Sequence, residues 1–175
     1  MSKTRIILTT TFALLSLIWM SVIFGFSADD AEESTKQSHG VVETILKIFV
    51  PGFEEMQENE REALIAKYDW PVRKTAHFAS YALLAFLLYL CFGSSKWLPQ
   101  SKAVPSLFSL PLSVAFAFSD EYHQTFVDGR AGRMTDVIID SCGAVCGILA
   151  AVVAVCLLFR MCSDCRRSGV TDKRK

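Results

Sequence analysis

Two short stretches break the apolar part of this chain with side chains that can exchange protons or bind ions. The first is Lys74, His77 and Tyr81, spaced three and four apart, so all three share one face of a helix. The second runs from Ser119 to Asp136 and contains Asp120, Glu121, His123, Gln124, Arg130 and Arg133. Asp140 follows Asp136 by one helical turn, and Asp120 and Gln124 have the same spacing. Asp128-Gly129, with Gly132 close behind, marks a tight turn between two helices.

These residue types allow several chemistries. His77 or His123 beside Glu121 or Asp136 suits general acid–base work. Lys74, Arg130 and Arg133 suit a lipid phosphate at headgroup depth. Histidines and carboxylates also ligate metals, but Glu121-x-His123 is too short for a metal signature, and no metal or other cofactor is expected. The plainest reading is a hydrogen-bonded cap that ties helices together, with Arg130 and Arg133 pairing to Asp120, Glu121, Asp136 or Asp140. There is no nucleophile elbow, phosphate loop or glycine-rich nucleotide motif. Cys162-x-x-Cys165 has no second pair and reads as free thiols, and the other cysteines lie in or beside apolar runs, which argues against a disulfide framework.

The elements that must position these groups are hydrophobic. Of 175 residues, 51% are hydrophobic, and they are concentrated in four blocks near residues 6–26, 72–92, 103–122 and 136–159. A membrane-spanning helix needs about 20 such residues. The first block is long for a cleaved leader and lacks a small residue at the cleavage-site position, so it is expected to stay as a membrane helix. Pro111 should kink the third. Asp140, Gly143 and Gly147 fall on one side of the fourth, where the two glycines allow a close helix contact.

Between the first two blocks, residues 27–71 are polar and acidic. Val41, Val42, Ile45, Leu46 and Phe49 fit an amphipathic helix stopped by Pro51-Gly52. Phe53, Met56, Leu64 and Tyr68 suggest a second one, with Trp70-Pro71 as an interfacial anchor and the start of the next helix. Such helices could lie on the membrane surface or form a lid on the bundle.

Net charge is zero, which gives no ground for nucleic-acid binding, but charge position is informative. The N-terminus, the link after the second block and the tail (160–175) hold ten basic and two acidic residues. The remaining polar parts hold eight basic and sixteen acidic residues. By the positive-inside rule both termini are cytoplasmic, and residues 27–71 and the Ser119–Asp136 stretch face outward. The expected fold is an all-α, single-domain membrane bundle of four helices, with an extracytoplasmic helical loop between the first two.

Residues Arg73-Lys74-Thr75-Ala76-His77-Phe78-Ala79-Ser80-Tyr81, followed by an apolar helix, form one recognisable block. Asp120-Glu121-Tyr122-His123-Gln124-Thr125-Phe126-Val127-Asp128-Gly129-Arg130, then Asp136-Val137, Gly143 and Gly147, form another. In order and spacing the two resemble the VanZ-like family of small bacterial membrane proteins, over about residues 73–151. The sequence departs from that pattern at Asp128, where proline is frequent, at Asp140, where asparagine is frequent, and at Ala85, where glycine is frequent. The resemblance implies a multi-pass protein of the bacterial plasma membrane and a cell-envelope role, through the founding member's association with teicoplanin resistance. Two functions fit. One is a non-enzymatic factor that binds lipid headgroups or lipid-linked cell-wall intermediates at its outer mouth. The other is an intramembrane enzyme acting on such a substrate through His77, Glu121 and Asp136.

Overall fold

The computed structural model describes residues 3–172 apart from 100 and 102, with side chains described as far as Arg160. Lys102, the Cys162/Cys165 pair and the basic tail beyond Arg160 lie outside the described side chains. Five α-helices follow in order: α1 (Lys3–Ala28), α2 (Ala31–Phe49), α3 (Glu58–Ser94), α4 (Ala103–Gln124) and α5 (Met134–Asp172). No strand occurs among the described residues. α1, α3, α4 and α5 are each long and apolar enough to cross a membrane.

α1 is apolar on nearly all sides, and its hydroxyls are kept from standing unpaired by bonding back one turn. Thr9, Ser16 and Ser21 donate to the carbonyls of Arg5, Phe12 and Leu17 at 2.9, 2.8 and 3.0 Å. In lipid no water can do this instead. α2 starts where Asp30 accepts the Glu33 amide at 2.8 Å, with Glu32 and Glu33 in its positive first turn. It ends before Pro51, and Gly52 takes the left-handed backbone (φ 76°) that turns the chain back. Val42 and Leu46 then pack with Phe53 against Leu64, Ile65 and Val72 of α3.

Here the structure corrects the sequence. No helix starts at Pro71, since α3 begins at Glu58 and runs through it. Phe53 lies in a 3-10 turn (Phe53–Glu55), outside that helix. Proline forfeits one backbone hydrogen bond, but the rest of α3 and the packing of α2 hold the helix, and the Thr75 hydroxyl caps the Pro71 carbonyl at 2.8 Å. α4 contains Pro111 within its length, with no break in the helix there. The 37 residues of α3 span ~55 Å at ~1.5 Å per residue. That exceeds a ~30 Å hydrocarbon layer, so α3 has length to spare for both the bundle and the α2 layer.

α3 is the hub, touching each of the other four α-helices. α1 runs antiparallel to it: Arg5 donates to the Ser95 carbonyl at 3.1 Å, and Trp19 donates to the Ser80 carbonyl at 2.9 Å. α5 runs parallel to it, and two glycines set how close it comes. A methyl added at Gly143 would strike the Phe78 carbonyl, and one at Gly147 the Ala82 carbonyl. Lipid competes with apolar side chains for contact, so this backbone-to-backbone approach is a main source of helix association.

Gly147→Ala should therefore force α5 off α3 and cost ~1–3 kcal/mol. In detergent this reads as a fall of several degrees in the thermal unfolding midpoint. Gly25→Ala, which meets nothing within 4 Å, should leave the midpoint unchanged or slightly raised.

Candidate functional site

The glycine contact fixes a register in which the polar face of α5 meets the polar face of α3. One turn before Gly143, Asp140 stands against His77, with Oδ1 at 3.7 Å from Nδ1. One turn earlier again, Asp136 Oδ2 lies 2.6 Å from Lys74 Nζ. Tyr81 completes the α3 stripe and is fully buried. α4 delivers Asp120, Glu121 and Gln124 to the same end of the bundle, all buried. Gln124 donates to Ser27 of α1 at 2.9 Å, so all four spanning helices contribute to this layer.

The link between α4 and α5 is folded onto the layer. Glu121 Oε2 accepts the backbone amide of Arg133 at 2.8 Å. Gly132 sits against the Glu121 carbonyl, where a methyl would collide. Gly129 takes the left-handed backbone (φ 72°) next to Ala31, and the Ala31 amide donates to the Asp128 carbonyl at 3.2 Å. The tight turn expected at Asp128-Gly129 thus docks on the start of α2.

The expected arginine ion pairs are not formed. Among the described residues Arg130 and Arg133 make no ion pair with Asp120, Glu121, Asp136 or Asp140; Lys74 takes Asp136 instead. Arg133 is exposed and contributes its backbone amide. Arg130 donates to the Phe26 carbonyl at 3.2 Å. The physical reason is position: both arginines sit on the link outside the bundle, whereas Lys74 is on the helix that faces α5. His123 also turns aside, packing its ring on Phe24 of α1 with centroids 4.3 Å apart.

A cavity of about 800 Å³ opens beside this layer, between α1, α2 and α3. Trp19, Ile23, Val41 and Ile45 give it apolar walls, and Arg73, His77, Tyr81 and Arg130 give it a polar end. Burial pulls the Arg130 guanidinium below its ordinary pKa, and the like charge of Arg73 adds to the effect. Arg73 was not singled out from sequence. It is held by Asp69 at 2.8 Å, and Asp69 in turn accepts the Ser38 hydroxyl of α2. The i, i+4 run Asp69, Arg73, His77 is the signal that would have found it.

The family model described as VanZ/LLP1 matches residues 12–159, from within α1 to within α5, and spans α2, α3 and α4 whole. The chain belongs to the VanZ/LLP1 family. The match reaches well beyond residues 73–151, so the family region of this VanZ/LLP1 protein takes in α2 and most of α1 as well. Comparison with curated proteins and with solved structures gave no match. With four apolar helices of spanning length, the family assignment makes this a multi-pass membrane protein.

Lys74 and Asp136 are both largely buried, so removing one leaves the other charge uncompensated. Lys74→Met should destabilise the protein by ~3–5 kcal/mol, and the double change Lys74→Met/Asp136→Leu should recover most of that loss. Thermal melts followed by circular dichroism in detergent compare the two.

Proposed function

We propose that this protein is a non-enzymatic binder of anionic amphiphiles. The ligand is a membrane lipid or lipid-linked cell-wall intermediate, held in the cavity between α1, α2 and α3. The observation that carries this reading is Arg130. It is a partly buried cation without an ion-pair partner within 4.0 Å among the described residues, and it faces a cavity with apolar walls. A phosphate there would relieve the repulsion between Arg73 and Arg130, and an acyl or prenyl chain would lie against Trp19, Ile23, Val41 and Ile45.

The lysine and arginine asymmetry supports placing both termini in the cytoplasm and this cavity at the outer leaflet of a bacterial plasma membrane. There a bound cell-wall intermediate would be withheld from, or presented differently to, teicoplanin-type antibiotics. The enzymatic alternative used His77, Glu121 and Asp136 together. Asp136 is committed to Lys74 at 2.6 Å, and the carboxylate beside His77 is Asp140, which weakens that trio as acid–base machinery.

Purified protein should retain anionic lipid in native mass spectrometry, and Arg130→Ala should lower that retention roughly tenfold or more, the loss of one charge-assisted hydrogen bond. Retention of zwitterionic lipid should change little. Equal retention of anionic lipid by wild type and Arg130→Ala removes the cavity from the account. In cells, a shift in teicoplanin susceptibility on expression, lost in Arg130→Ala at equal membrane levels, tests the envelope role.

A further inference from the structure

Three carboxylates on the floor of the bundle have more charge than their surroundings neutralise. Asp140 is 0% exposed, Asp120 1% and Glu121 4%. Neither oxygen of Asp140 or Asp120, nor Oε1 of Glu121, accepts a hydrogen bond within 3.5 Å, with His77 facing Asp140 and Ser27 and Tyr81 facing Asp120 at longer range. The nearby lysine is spent on Asp136. Among the described residues no lysine or arginine lies within 4.0 Å of these three groups, and His77 offers at most one charge, at 3.7 Å from Asp140. A buried, unpaired carboxylate is strongly disfavoured, so a group of three must either take up protons or share a cation.

The donor atoms are already convergent. One atom each from His77, Glu121 and Asp140 all lie within 4.8 Å of one another. Ligand atoms around one ion at ~2.1 Å stand roughly 3–4 Å apart, so small side-chain rotations close the shell. The ligands come from three helices, α3, α4 and α5, which is why no short sequence spacing announced them. Their position is set by rigid parts: the glycine contact that places Asp140, and the Arg133 amide that holds the other oxygen of Glu121. His77 also lines the cavity, which gives an ion a route in.

The geometry points to a divalent transition-metal site formed by His77, Glu121 and Asp140, with Asp120 beside it as a further carboxylate. One imidazole nitrogen with two or three carboxylate oxygens suits the manganese-to-zinc series. Calcium asks for six to eight oxygens, and magnesium for a largely hydrated octahedron. The site does not depend on the lipid reading, because its ligands all belong to the protein.

Mn2+ is the probe of choice, since it avoids thiols and the chain has six cysteines. Full-length protein stripped with chelator in detergent, then given Mn2+ without added lipid, should bind one ion per chain by electron paramagnetic resonance. Pulsed spectra should show coupling to a histidine nitrogen. His77→Gln should remove that coupling. Asp140→Asn and Glu121→Gln should each weaken binding at least tenfold. Both should melt, metal-free, at or above the wild-type temperature, because each removes a buried charge. Zn2+ should displace the ion, while Mg2+ and Ca2+ at equal concentration should not. Folded wild-type protein that holds no Mn2+, or binding and nitrogen coupling that survive in all three variants, overturns the site. Displacement by Ca2+ overturns the metal class. Should His77→Gln fail to fold, the two carboxylate variants still decide.

Discussion

The backbone contact of α5 on α3 is what the polar architecture depends on. Gly143 and Gly147 let α5 approach until its backbone meets the Phe78 and Ala82 carbonyls. Two parallel helices in such contact have one register. That register puts Asp136 opposite Lys74 and Asp140 opposite His77. A step of one residue would rotate the acids by about 100° around the helix, out of the bundle and toward lipid, where a charged side chain is costly. Packing and electrostatics therefore select the same arrangement.

Around that contact the chain builds two polar layers of different character. The inner one is acid-rich and buried, and includes Asp120, Glu121 and Asp140. The outer one is cationic and open, with Arg73 and Arg130 at the cavity. His77 belongs to both, touching Asp140 on one side and lining the cavity on the other. The outer layer carries the demand for an anion on which the proposed lipid binding rests, and the inner one the demand for a cation on which the proposed metal site rests. The placement of opposite demands on either side of one imidazole is the most functional-looking feature of the molecule.

Much of this was legible in the sequence, for identifiable reasons. The four spans follow from apolar length. The shared faces of Lys74, His77 and Tyr81, and of Asp136 and Asp140, follow from helical spacing. Side-chain pairing between elements was not legible, because it depends on register and depth: Lys74, not an arginine, reaches Asp136. The start of α3 is not legible because Pro71 reads locally as the first residue of a helix, whereas the helix already runs from Glu58 and continues through it with support from α2, a tertiary effect. The cavity and Arg73's place in it arise only when α2 folds back on α3.

The spread of the polar layer over all four spanning helices also has a consequence for biogenesis. Ser27, Lys74 and His77, and Asp120 and Glu121 enter the membrane in that order, and Asp136 and Asp140 come last, on α5. Asp136 and Asp140 stand in the first two turns of α5, where the cost of inserting an acid is smaller than at a helix centre but still counts against α5 as an isolated segment. Lys74 and the glycine groove against α3 offset that handicap only after α3 is in place. The last helix thus depends on a partner made earlier in synthesis for both its ion pair and its close contact.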